Sequence, residues 1–345
     1  MKLDIKNLTL WQLSVEFKKL GLRSFRARQV FRWIWLKGVR DWSEMSDISK
    51  ELRTMFAERY RIGQLKVKSR TGSAKQGVVK HLFELEDGSR VEGVWLKDGS
   101  RRTVCVSTQA GCSLGCTFCR TAQMGLKRNL LAGEIAGQVL AISKGQAERI
   151  TNVVFMGMGE PFLNYDACLD AARILNSDFG PKIGARKITI STAGITEGIR
   201  RLASEPEQFK LAISLNAADQ KTRERLMPIA HRYPLTELMQ AVRDYTSMTN
   251  KRVTFEYVLL RGVNDRPRDA SALILLLQGI PCKINLIPFN PYPGTDYEAP
   301  TEVDVNRFSE VIMPHLPAVM VRKSLGGNIF AGCGQLALLQ PTADS

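Results

Sequence analysis

From about residue 103 to residue 322 the chain alternates between short β-branched runs and amphipathic helical patterns. This alternation restricts the possible folds more than any other feature. The strand-like runs are 103–107, 152–156, 187–191, 210–215, 253–259, 283–288 and 318–322. The helical patterns between them cover 131–143, 165–175, 196–202, 235–249, 269–277 and 303–313; in the first, Ile135, Val139 and Ile142 share one face. Strands separated by helices are expected to be parallel neighbours, which predicts an α/β fold, either an open sheet or a parallel barrel. In both, ligands gather at the carboxyl ends of the strands.

Upstream, residues 8–62 read as helices, with Leu10, Leu13, Phe17 and Leu20 at helical spacing, and again Val30, Trp33, Ile34 and Lys37. In the stretch from Arg23 to Trp33 the aromatics are expected in the core and the arginines toward solvent or RNA. Residues 68–77 read as a polar linker. Residues 79–85 and 91–96, separated by Glu86, Asp87, Gly88 and Ser89, read as a β-hairpin. The expected organisation is a basic helical module over 1–70, a linker and hairpin over 71–100, an α/β body over 101–336 and a tail over 337–345.

The 345 residues carry a formal charge of +15, and two-thirds of that excess lies in residues 1–70, where 17 Lys and Arg face 7 Asp and Glu. A basic module on a near-balanced body points to a polyanionic partner, with nucleic acid docked by one part and chemistry done by the other. The start, with Asp4 beside Lys2 and Lys6, lacks the apolar region of a signal peptide, and no apolar run reaches the roughly 18 residues of a membrane span. The protein is expected in the cytoplasm, as a monomer without membrane association. Seven cysteines, an odd number in such a chain, favour metal binding or catalysis over a disulfide framework.

Three of the seven, Cys112, Cys116 and Cys119, have C-x3-C-x2-C spacing just after the first strand of the alternation. Three thiolates can hold an iron–sulfur cluster with one iron left open. Structural zinc wants four closed ligands; the nearest fourth candidate would be Cys105, on the strand. Iron–sulfur, zinc and three unrelated thiols all remain open on spacing alone. After the second strand comes Met156-Gly-Met-Gly-Glu-Pro161, a turn whose glycines let backbone approach a ligand and whose carboxylate could hold an ammonium group.

These features together resemble the radical S-adenosylmethionine (SAM) superfamily, and within it the RlmN/Cfr family of RNA adenine methyltransferases. The likeness runs from about residue 23 to 336. Its most specific pieces are CVSTQAGC (105–112), CRTAQ (119–123), FMGMGEP (155–161), ISTAG (190–194), LMP (226–228) and CGQL (333–336). The resemblance implies the partial, open parallel β/α barrel of radical SAM proteins. It implies a [4Fe–4S] cluster on Cys112, Cys116 and Cys119, with SAM on the open iron and contacted by Gly159, Glu160, Ser191, Ser214, Leu215, Asn216 and Asn290. It also gives roles to Cys105, Cys333 and Glu92. Cys333 would be S-methylated by one SAM, while a second SAM, split reductively, supplies the radical that activates that methyl group for addition to adenine. Cys105 would attack the Cys333 sulfur to release the product, leaving a Cys105–Cys333 disulfide, and Glu92 matches the family's base. Proton removal could be shared by Glu92 and Cys105. Cys168 and Cys282 have no such context and are expected to be packing residues.

The implied substrates are an adenosine of 23S rRNA and the adenosine 3′ to the anticodon of tRNA, both methylated at C2, with an electron donor serving the cluster. The Cfr branch methylates C8 of the same ribosomal adenine; the CRTAQ and Gly-Glu-Pro segments look more like the C2 branch. A zinc-binding RNA adaptor is the non-enzymatic alternative. Three positions depart from the family pattern: Asn216 where His is usual, Arg120 where a small residue is common, and Gly332, in place of Ala, which is expected to loosen the Cys333 loop.

Overall fold

The computed structural model describes residues 2–322 and 326–338. Near the N-terminus, β1 (Leu3–Asp4) pairs in parallel with β2 (Tyr60–Arg61), bracketing α1 (Leu10–Lys19), α2 (Phe25–Arg32) and α3 (Lys50–Arg59). Thr9 caps α1, its hydroxyl accepting from the Gln12 N–H while the Gln12 side chain accepts from the Thr9 N–H. Phe17, Val30, Phe31, Trp33 and Phe56 are buried, and Arg23, Arg28 and Arg32 are exposed. Phe25 departs from the expected pattern: it is 41% exposed, with the Arg26 guanidinium 4.7 Å from its ring centre.

The main sheet has ten strands in the order β14-β13-β12-β11-β10-β9-β6-β5-β4-β3. Its antiparallel end consists of β3 (Lys66–Ser73), β4 (Val78–Glu84), β5 (Arg90–Asp98) and β6 (Arg101–Cys105). From β6 onward every pairing is parallel, through β9 (Asn152–Phe155), β10 (Ile188–Thr192), β11 (Lys210–Ser214), β12 (Val253–Leu259), β13 (Cys282–Pro288) and β14 (Val319–Val321). A separate ribbon pairs β7 (Gln109–Gly111) with β8 (Leu126–Asn129).

The remaining helices are α4 (Arg120–Gln123), α5 (Ala132–Ser143), α6 (Tyr165–Asn176), α7 (Thr196–Ala203), α8 (Gln220–Leu226), α9 (Leu235–Thr249), α10 (Pro267–Leu277) and α11 (Glu302–Ile312). The open α/β barrel is therefore as expected, and the periodic segments fall within two residues of their expected bounds.

The expected linker is corrected. Lys66–Ser73 is an edge strand, and the chain turns only over 74–77, where Gln76 and Gly77 donate to Ser73 and Ala74 carbonyls. Its polar composition suits an edge strand with alternate residues exposed. The hairpin is likewise no appendage, because β5 pairs with β6 and makes the barrel sheet and the antiparallel strands continuous. One buried apolar cluster runs from Phe17 in α1 to Ile312 in α11, so the helical module and the body share a core. Among the described residues, no helix is long and apolar enough to cross a membrane.

Candidate active site

The cysteine loop is pinched at its neck by the β7–β8 ribbon, whose last bond is Cys112 N–H to the Gly125 carbonyl at 3.0 Å. Gly111 makes that pinch possible. Its φ is +83°, and a Cβ there would lie 1.8 Å from the Gly125 oxygen. Within the loop, Cys119 N–H donates to the Cys116 carbonyl, and Thr117 N–H to the Leu226 carbonyl. Leu114, Phe118, Leu226, Met227, Phe289 and Tyr292 form a small apolar cluster of their own around the loop.

Cys112, Cys116 and Cys119 all line one cavity of about 200 Å³. Burial pushes the Cys112 thiol up to about 11 and raises Cys116 and Cys119 as well. Three desolvated thiols facing one space suit a cluster, whose positive iron would turn each into a thiolate and which takes one at each of three corners.

The Gly-rich turn after β9 lies against the same cavity. Gly159 has φ +100°, and a Cβ there would come within 2.5 Å of the Gln109 side chain. This close approach sets the next residue: Glu160 N–H donates to Gln109 Oε1 at 2.8 Å. The Glu160 carboxylate accepts from Phe162 N–H at 3.0 Å and Ala193 N–H at 2.7 Å, yet burial still pushes its pKa up to about 7.

Ser191, Ser214 and Asn216, at or just past the ends of β10 and β11, also line the cavity. Asn216 stands in the left-handed region at φ +57°, which Asn tolerates better than most residues, and its side-chain oxygen accepts from Val258 N–H at 2.9 Å. Leu215 and Asn290 are not on the cavity wall. Leu215 is fully buried and gives only its backbone, to Glu256 and Arg223. Asn290 packs beneath Gly332, where a Cβ would meet its amide at 2.6 Å.

The segment 326–338 brings Cys333 to the cavity. It is laced to the cysteine loop by Arg120 N–H to the Gly334 carbonyl at 2.8 Å and by the Thr121 hydroxyl to the Leu336 carbonyl. Gln335 ties it down further, accepting from Gly332 N–H and donating to the Pro291 carbonyl. The expected loosening by Gly332 is thus corrected: glycine here permits close packing on Asn290, and its N–H is held. Arg120 takes part through its backbone, while its guanidinium lies 5.3 Å from the Tyr292 ring centre.

Cys105, at the end of β6, is pushed up to about 12 by burial and then by the neighbouring Cys333. Cys333 keeps solvent access through the cavity although it lies deep among protein atoms, which raise its thiol too. Glu92 is near but not on the cavity wall. One of its oxygens lies 3.0 Å from the Lys80 ammonium, and the other accepts from Ala337 N–H at 3.0 Å. Cys168 and Cys282 are buried in the main core, as packing residues should be.

Sequence reasoning missed two charged groups on the wall, Glu256 and Arg322. The available signal was an acid in the middle of the apolar run of β12 and an arginine directly after β14.

An open parallel barrel with three loop cysteines and a glycine-rich strand end on one cavity defines a radical SAM enzyme. The Radical SAM superfamily model matches residues 106–274, and the ribosomal RNA large subunit methyltransferase N-terminal domain model matches residues 3–62. The dual-specificity RNA methyltransferase RlmN of Syntrophobacter fumaroxidans is 46% identical over 334 residues, covering 96% of this chain and 97% of that protein. The RlmN of Anaeromyxobacter dehalogenans is 44% identical over 342 residues, 97% of this chain and 91% of that protein. The crystal structure of a radical SAM methyltransferase from Sphaerobacter thermophilus superposes with a TM-score of 0.91 at 42% identity, covering 97% of this chain and 99% of that one. The chain belongs to the RlmN family of radical SAM RNA methyltransferases. Membership of the superfamily carries with it a [4Fe–4S] cluster and SAM.

Proposed function

We propose that this enzyme methylates C2 of an adenosine in 23S rRNA and of the adenosine 3′ to the anticodon in tRNA, using two SAM molecules per turnover. The observation that carries this reading is that Cys105 and Cys333 open onto the same cavity as the three loop cysteines. Cys112, Cys116 and Cys119 would hold the cluster and Gly159, Glu160, Ser191, Ser214 and Asn216 would hold SAM, which together would supply the methyl group and the one-electron chemistry. Leu215 contributes through its backbone and Asn290 from behind Gly332.

The need for thiols follows from the target. C2 of adenine lies between two ring nitrogens and is electrophilic, so it does not attack a methyl cation equivalent. Cys333 carries the carbon to it as a thioether. Once the adduct has lost both the C2 proton and its unpaired electron, which the one-electron chemistry of a bound cluster would take up, the Cys105 thiolate attacks the Cys333 sulfur: an S–S bond forms, the Cys333 S–C bond breaks, and its electron pair stays with carbon, which takes a proton to complete the methyl group. An electron donor then returns the disulfide to two thiols. Glu92, clamped by Lys80 and Ala337, supports proton removal chiefly by fixing the Cys333 segment, while Cys105 is the group on the wall.

The basic module over 1–70 grips the RNA phosphates while the target base is flipped into the barrel mouth. The enzyme works as a cytoplasmic monomer. Mass spectrometry of RNA nucleosides tests substrate and position together. A strain lacking the gene should lose 2-methyladenosine from both RNAs, and unchanged 2-methyladenosine would refute the reading.

A further inference from the structure

Glu256 is an acid inside the barrel, 6% exposed, on the wall of the cavity that Cys333 and the loop cysteines share. Its place in β12 is in register with Ser214 of β11 on one side and Asn285 of β13 on the other. One carboxylate oxygen accepts from the Asn285 amide at 2.8 Å. The other, Oε2, is buried and accepts from no group among the described residues. The Arg322 charge on the same wall offsets part of the carboxylate's burial, but an acceptor without a hydrogen bond in such a place stays costly unless a ligand completes it. Asn285 fixes the carboxylate plane, so the free oxygen has a set position.

We propose that Glu256 is a SAM-positioning residue whose free carboxylate oxygen accepts hydrogen bonds from the ribose hydroxyls of SAM. The proposal rests on the reading of this cavity as the SAM site.

Three observations carry it. On or just past β9, β10 and β11 the polar groups on the cavity wall are Glu160, Ser191, Thr192, Ser214 and Asn216, and the polar group that the next strand, β12, adds is Glu256. Glu160 already has both oxygens on backbone N–H groups, whereas Glu256 has one to give. A carboxylate matches a vicinal diol, which presents two donors side by side. Glu256 is level with Ser214, one of the residues read as holding SAM, and lies three residues short of the end of β12.

The test is equilibrium binding of S-adenosylhomocysteine and its 2′,3′-dideoxy analogue to the cluster-reconstituted enzyme, read by calorimetry with no turnover. The wild type should prefer the natural ligand by roughly tenfold or more, the span expected of a charge-assisted hydrogen bond. Glu256→Ala should lose a similar factor on the natural ligand and cease to distinguish the two. Glu256→Gln, which keeps the shape and guards against a folding defect, should fall between. A Glu256→Ala or Glu256→Gln protein that keeps the wild-type preference overturns the proposal, as does one that binds both ligands normally but binds adenosine-containing RNA more weakly. A wild type that binds S-adenosylhomocysteine without regard to the diol overturns it too. Failure of the wild type to bind either ligand overturns the SAM-site reading and this proposal with it.

Discussion

The Lys80 ammonium lies 3.0 Å from the Glu92 carboxylate, with both side chains almost wholly buried, and the second Glu92 oxygen accepts from the N–H of Ala337, four residues past Cys333. The pair therefore joins the antiparallel strands β4 and β5 to the segment that carries Cys333. Removing one partner strands a buried charge, so Lys80→Met should cost about 3–5 kcal/mol in urea unfolding. Lys80→Met combined with Glu92→Leu should recover most of that loss. Glu92→Gln should leave the melting temperature closer to wild type but speed proteolysis within 326–338.

Glu160 sets a pH dependence. Burial raises its carboxyl from the ordinary 4.5 to about 7, so in the free protein it is largely protonated at pH 6 and ionised at pH 8. In the proposed SAM site this carboxyl faces the SAM ammonium and must be ionised to hold it. S-Adenosylhomocysteine affinity should accordingly fall about tenfold per pH unit below 7, with proton release on binding near pH 6. For stability the sign is opposite: this group's favourable contribution is complete below 4.5 and is lost as pH rises through 7, because the folded state binds the extra proton.

Gly111→Ala should spoil the neck of the cluster loop. The added Cβ would meet the Gly125 carbonyl oxygen at 1.8 Å in a left-handed backbone, so the ribbon must open. The expected result is a folded protein with less than half the wild-type iron after reconstitution, measured by iron analysis and visible absorption. Full iron loading would show that the pinch is dispensable.

Cys105→Ala should trap RNA on the protein. Without the Cys105 thiol the Cys333 S–C bond has no attacking sulfur, and a covalent RNA–protein species should accumulate on denaturing gels. Recovery of free RNA alone would count heavily against transfer through Cys333. In the cluster-free wild type, the high pKa of Cys105, about 12, should make it slow to react with iodoacetamide at pH 8.

The exposed arginines of α2 border a surface hollow with Phe25, Trp33 and Phe179. Reversing Arg28 and Arg32 to Glu should weaken tRNA binding at low salt by about tenfold or more and flatten its salt dependence, measured by filter binding. An unchanged salt slope would place the RNA elsewhere.

Much of this protein is determined by the sequence alone, because its signals are local. The period of the apolar residues over 235–249 and 253–259 is enough to give α9 and β12 their bounds, and the spacing of Cys112, Cys116 and Cys119 depends only on a few bonds of chain. The same holds for the turn at Gly159 and Glu160. What only the tertiary structure decided involves partners far apart in the chain. Residues 68–77 look like a linker because an edge strand exposes alternate side chains, and pairing with β4 is what makes Lys66–Ser73 a strand. Glu92 matches the position of a base, yet the two groups that hold it lie 12 residues before it in Lys80 and 245 after it in Ala337. Glu256 reads as one acid in an apolar strand, and its meaning comes from burial, from Asn285 on the neighbouring strand and from the cavity that the whole barrel encloses. Burial and charge compensation are sums over neighbours brought together by folding, so no stretch of sequence contains them.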